Sequence, residues 1–131
     1  MFDRWRMAKD MRKLKQALEA HVRGLGDSNV DTRLDSAAVI QQILGLYFLS
    51  SEEAYAIVPT IAHCLGDNDD ARVRGAACVL LATIDLQGRT TSSSGVRNAV
   101  RLALPQVRDL LEDEDERVRD AAKMVLDKTD G

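Results

Sequence analysis

Apolar residues recur along this chain at the spacing of one helix face. Met7, Met11, Leu14, Leu18, Val22 and Leu25 form the first such stripe, the i, i+4, i+7 signature of an amphipathic helix. Leu34 to Leu49 is apolar on most sides, through Ala37, Ala38, Ile40, Ile43, Leu44, Leu46, Tyr47 and Phe48. Val73 to Ile84 is similar. Both predict helices covered by neighbours on more than one side. The last stripe, Val118, Ala121, Ala122, Val125 and Leu126, is interrupted by Asp120, Lys123, Asp127 and Lys128, the polar outer face that the end unit of a repeat array needs.

Three segments of the chain align with one another. Leu25-Gly26-Asp27 is followed by Arg33-Leu34-Asp35-Ser36-Ala37-Ala38, Leu65-Gly66-Asp67 by Arg72-Val73-Arg74-Gly75-Ala76-Ala77, and Leu111-Glu112-Asp113 by Arg117-Val118-Arg119-Asp120-Ala121-Ala122. Aligned on the Ala-Ala pairs, the periods are 39 and 45 residues, straddling the spacing of paired-helix repeats. Both prolines, Pro59 and Pro105, stand six residues before the leucine of their segment, which predicts a kinked first helix in each pair.

The boundaries carry their own signals. Ser50 with Glu53 forms a capping box ahead of Pro59. Asp31, Asp69 or Asp70, and Asp115 stand where each second helix starts, suiting free amides and the helix dipole. Gly, Ser and Thr dominate Gln87 to Gly95, which reads as a flexible loop that lengthens the second period, with Ser94 or a neighbour capping the next helix. The expected organisation is one domain over 1–131, with repeats at about 6–50, 51–86 and 95–128 and a flexible loop at 87–94.

Composition narrows the choices. The 131 residues are 45% hydrophobic but only 4% aromatic, with two prolines, which excludes wholesale disorder and argues against a β-sandwich. The formal net charge of -3 weighs against a generic nucleic-acid binder. Two cysteines, Cys64 and Cys78, lie in apolar runs and read as small buried thiols of a reducing compartment. Neither a secretory signal nor a ~20-residue apolar span is recognisable. The expectation is a cytoplasmic protein.

These repeats, L-x-D followed by a hydrophobic residue, Arg and Ala-Ala, with proline in the preceding helix, resemble HEAT repeats. The HEAT-like repeats of phycobilisome lyase subunits and the armadillo repeats are close cousins. The resemblance covers about Leu14 to Leu126 and implies an all-α fold, a right-handed α-solenoid of three HEAT-like helix pairs whose second helices line a concave side. It also implies a ladder between neighbouring repeats, formed here by Asp27, Asp67 and Asp113 with Arg74 and Arg119. Asp35 stands where the first repeat would carry its ladder arginine.

Arg33, Arg72 and Arg117 form a second row, just before the hydrophobic position, that suits acidic groups. Charge is also polarised along the chain: residues 1–23 carry seven basic against three acidic side chains, net +4, and residues 106–131 carry five against nine, net -4. Such an end reads as a solvated helix face, or as a surface for an acidic partner, a second copy head to tail, nucleic acid or an anionic membrane. On a helical wheel Trp5 falls with Lys9, Arg12 and Arg23, away from the apolar stripe, so either the helix starts after Trp5 and the tail folds back on it, or Trp5 is exposed beside arginines as in a binding hot spot.

Catalytic signals are missing. There is no phosphate-binding glycine motif. His21 and His63 occupy different repeat positions, and His63, Cys64 and Cys78 lack zinc-site spacing. The acidic runs lack the twelve-residue calcium pattern. The sequence therefore predicts a non-enzymatic scaffold without cofactor or metal, binding a protein of acidic or mixed-charge surface through Trp5, Arg6, Lys9, Arg12, Arg33, Arg72 and Arg117. A nucleic-acid-associated protein and a non-catalytic lyase-type subunit are the alternatives.

Overall fold

The computed structural model describes the backbone of residues 2–129 and the side chains of residues 9–129. Among them the chain is all-helical: α1 (Phe2–Gly24), α2 (Val30–Leu44), α3 (Ser51–Cys64), α4 (Ala71–Thr90), α5 (Ser94–Arg101), α6 (Leu104–Asp109), a 3-10 turn (Leu110–Glu112) and α7 (Glu116–Thr129).

The starts of α2, α3, α4, α5 and α7 are set by a side chain that takes an otherwise free amide. Asn29 caps α2 through Thr32, and Ser50 and Glu53 close a reciprocal capping box on α3. Asp70 caps α4 through Arg72, and Ser93 caps α5 through Val96. Asp115 accepts the Arg117 amide at the head of α7.

The helices pack in pairs and rows. α1 lies on α2, α3 on α4, and α6 with its 3-10 turn on α7. α4 is the centre: it packs against α2 on one side and α7 on the other, and α5 also rests on it. α3 similarly packs on α5 and touches α1. One continuous core results, with Leu18, Ile40, Ile61, Leu81, Ile84 and Val100 essentially without solvent contact. Each such side chain contributes roughly 1.5–3 kcal/mol by leaving water. Close approach of α3 and α5 depends on Gly95, where a Cβ would overlap the hydroxyl of Ser51.

The structure corrects several expectations. The segment read as a loop over 87–94 is helical through Thr90, and its Gln87 and Gly88 are buried. Propensity favours a loop there, but Gln87 makes three hydrogen bonds to the α2–α3 connection, and tertiary bonding overrides the local preference. The second apolar run leaves the helix at Gly45, with Leu46 and Phe48 exposed. Pro59 does lie inside α3, but Pro105 stands in the first turn of α6. There its missing amide costs nothing, and the first helix of the third pair is broken into α5 and α6 rather than bent.

Candidate functional site

The edge where the helix pairs turn is built from three copies of one aspartate. The carboxylate of Asp27 accepts the Asn29 amide at 2.8 Å, that of Asp67 the Asp69 amide at 2.8 Å, and that of Asp113 the Asp115 amide at 2.9 Å. Each fixes the turn ahead of a second helix. Four residues past each cap, on the first inward turn, stands an arginine. Arg33 donates to the Asp27 carbonyl at 2.8 Å, Arg74 to the Asp67 carbonyl at 2.7 Å, and Arg119 to the Asp113 carbonyl at 2.7 Å.

The first two arginines also reach the next turn. Arg33 Nε lies 2.9 Å from Asp67 Oδ2, and its Nη2 donates to Asp69 at 3.0 Å. Arg74 grips Asp113 with two nitrogens, at 2.8 and 3.0 Å. The Arg33–Asp67 and Arg74–Asp113 side chains are about nine-tenths buried or more. The Arg74 contact holds Asp113 below the usual carboxylate range, and Asp113 in turn raises Arg74. Burial alone would lower Arg33, but Asp67 and Asp69 outweigh it and raise its pKa.

Arg33 therefore occupies the ladder position of the first pair, not the outer row with Arg72 and Arg117. Ala-Ala matching hides this. The caps Asn29 and Asp70 are 41 residues apart, as are Arg33 and Arg74, so the repeat register differs by two residues from the 39-residue alignment. Asp35 then corresponds to Ala76 rather than to an arginine, and it is exposed. Cap positions, rather than small-residue pairs, carry the register signal.

The other candidates have different environments. Arg72 and Arg117 are exposed, and each bonds the aspartate two residues before it, at 2.6 and 3.4 Å. Arg72 and its amide hold Asp70 down to about 2. Lys9 and Arg12 are exposed on α1. The side chains of Trp5 and Arg6 lie outside the described residues.

A surface the sequence did not single out lies on α4. Although α2, α3, α5 and α7 all pack against it, Val79 and Leu86 remain 40% and 58% exposed. They flank Thr83, which accepts from Gln41 of α2 at 2.8 Å and donates to the Val79 carbonyl at 2.9 Å. The apolar run Val73 to Ile84 gave no sign that one of its faces stays open. Clefts of about 340 and 530 Å³ lie along the turn edge, beside Arg33 and Arg74 respectively. Charged ladder residues line both, and the cleft beside Arg33 is mainly polar, which suits water better than an apolar ligand.

Nucleophile chemistry finds little support. Burial pushes Cys64 up to about 11 and Cys78 up to about 12, so neither is a thiolate at neutral pH. The described residues contain no group of three His, Cys, Asp or Glu side chains placed to hold a metal ion. Among them no helix is long and apolar enough to cross a membrane. Comparison with protein-family models, with curated proteins and with solved structures finds no match to this chain.

Proposed function

We propose that the chain is a HEAT-like repeat module, a right-handed α-solenoid of three helix pairs, that acts as a non-enzymatic scaffold for a protein partner in the cytoplasm. The observation that carries this reading is the open face of α4. Val79 and Leu86 are exposed on a helix packed by four others, so an apolar spot is held on a rigid base. Apolar centres ringed by polar side chains are the usual anatomy of a protein interface. Here Thr83 of α4 and Gln41 of α2 supply polar groups beside it. The basic exposed residues Lys9 and Arg12 of α1 supply a second contact for an acidic or mixed-charge partner.

The test is capture from native lysate at low and high salt, comparing wild type with a Val79→Glu, Leu86→Glu chain. Retention of one protein at both salts, lost in the variant, supports the scaffold reading. Retention of nucleic acid alone, only at low salt and lost on changing Lys9 and Arg12, moves the function to α1. A coloured, pigment-bearing complex favours the lyase-type alternative.

A further inference from the structure

Among the described residues the turn-edge ladder repeats one rule and leaves a group unfilled at its first and last turns. Each inner step follows one rule. The arginine of one pair bonds the carbonyl of its own turn aspartate and the carboxylate of the next. Asp67 is used twice, its carboxylate by Arg33 and its carbonyl by Arg74. Asp113 is used twice in the same way, by Arg74 and Arg119.

At the first turn the Asp27 carbonyl is taken by Arg33. Its carboxylate receives the Asn29 amide and no arginine among the described residues. At the last turn Arg119 bonds the Asp113 carbonyl and has no carboxylate among the described residues.

We propose that the missing groups are supplied by a second copy of this chain, with Arg119 of one copy reaching Asp27 of the next. Charge supports the direction of stacking. In such a stack α1 of the incoming copy lies along α6 and the 3-10 turn, as α3 lies along α1. α1 presents exposed Lys9, Arg12 and Lys13, and the opposing end presents exposed Glu112 and Glu114. The contact is polar at its centre. By the cap register, Lys123 of α7 stands where α4 has buried Cys78, and Lys123 is exposed. Association is therefore driven by charge and weakened by salt. The interface is head-to-tail, so it builds rods or rings rather than stopping at a two-fold dimer.

Sedimentation of the full chain over a range of concentrations, at low and high salt, tests this. The expected result is a mass that grows with concentration at low salt and returns to the monomer at high salt. Asp27→Asn retains the Asn29 contact and removes the charge; Arg119→Gln removes the donor fork. Each should weaken association by about tenfold or more. Mixed together, the two variants should form a 1:1 pair that grows no further, because each keeps one intact end. Monomer at every concentration up to ~1 mM in low salt overturns the proposal, as does association that both variants leave unchanged. Both substitutions leave Val79 and Leu86 in place, so capture of a partner by that face reports separately on the scaffold reading.

Discussion

Gln87 of α4 accepts the amide of Leu49 at 2.9 Å through its Oε1 and so fixes the chain where it enters α3. Its Nε2 donates to the carbonyls of Leu44 and Tyr47, both at 2.7 Å. One buried amide thus satisfies three backbone groups, one at the end of α2 and two in the irregular connection that follows it. Gln87→Leu leaves all three without partners and should cost about 2–4 kcal/mol, read as a lower urea midpoint. Gln87→Glu should not rescue it, because a carboxylate cannot donate to the two carbonyls. A midpoint equal to wild type would mean that the connection holds itself.

The repeat register is decided by two neighbouring positions. Arg33→Ala should lower the melting temperature, since it leaves the buried Asp67 carboxylate without its arginine. Asp35→Ala, on the exposed face, should stay within about 0.5 kcal/mol of wild type. Arg74→Ala should cost about 1–3 kcal/mol, mostly by orphaning Asp113. A double-mutant cycle on Arg74 and Asp113 should show coupling between them. A sensitive Asp35 and an indifferent Arg33 would restore the 39-residue alignment.

Acid should weaken the fold within a defined window. Asp113 and Asp70 titrate below their ordinary values because Arg74 and Arg72 bond them, and Asp70 lies at about 2. Lowered carboxylates stabilise the fold above the unfolded value of about 4 and lose that contribution as pH falls through the folded value. The melting temperature should hold near neutrality and fall between about pH 4 and 2. The gap between wild type and Arg74→Ala should narrow over the same interval. A gap that stays constant down to pH 2 would mean that Asp113 gains nothing from Arg74 as a charged group.

Tyr47 offers an optical probe at the other extreme. Its hydroxyl donates to Glu53 at 2.6 Å, and that bond, followed by burial, pushes it up to about 12. A raised tyrosine stabilises the fold below its unfolded value of about 10 and ceases to do so as pH rises through about 12. Absorbance titration should find one tyrosine ionising near that value, and Glu53→Gln should bring it down. Two tyrosines that both ionise near 10 in the folded chain would argue against the bond.

Much of this architecture is written in local chemistry. The capping box at Ser50 depends on residues three positions apart, so the sequence displays it directly; the aspartate turns at Asp27, Asp67 and Asp113 are equally local, but their aspartates stand out in the sequence only as ladder residues implied by the resemblance. The Arg74–Asp113 ladder step was legible only through the resemblance, because its partners are 39 residues apart. Arg33 was misplaced because Ala37-Ala38 imitates Ala76-Ala77 two residues out of register. Gln87 gave no warning: its three bonds all run to the α2–α3 connection some 40 residues earlier, while its neighbours Gly88, Thr90 and Thr91 have the composition of a loop. The open face of α4 was hidden for the opposite reason, since a helix covered on four sides and one covered all round share the same apolar run.

The double use of Asp67 has a thermodynamic consequence. Stacked helical units ordinarily divide their free energy between each unit and its nearest neighbour, so they fray from the ends. Here the α3–α4 turn inside the second pair cannot open without releasing Arg33 on one side and Arg74 on the other. Opening that turn therefore loosens the second pair's contacts with both of its neighbours, and the chain should melt in one sharp transition, with the amides at Asp69 and Asp115 exchanging only when the whole molecule unfolds.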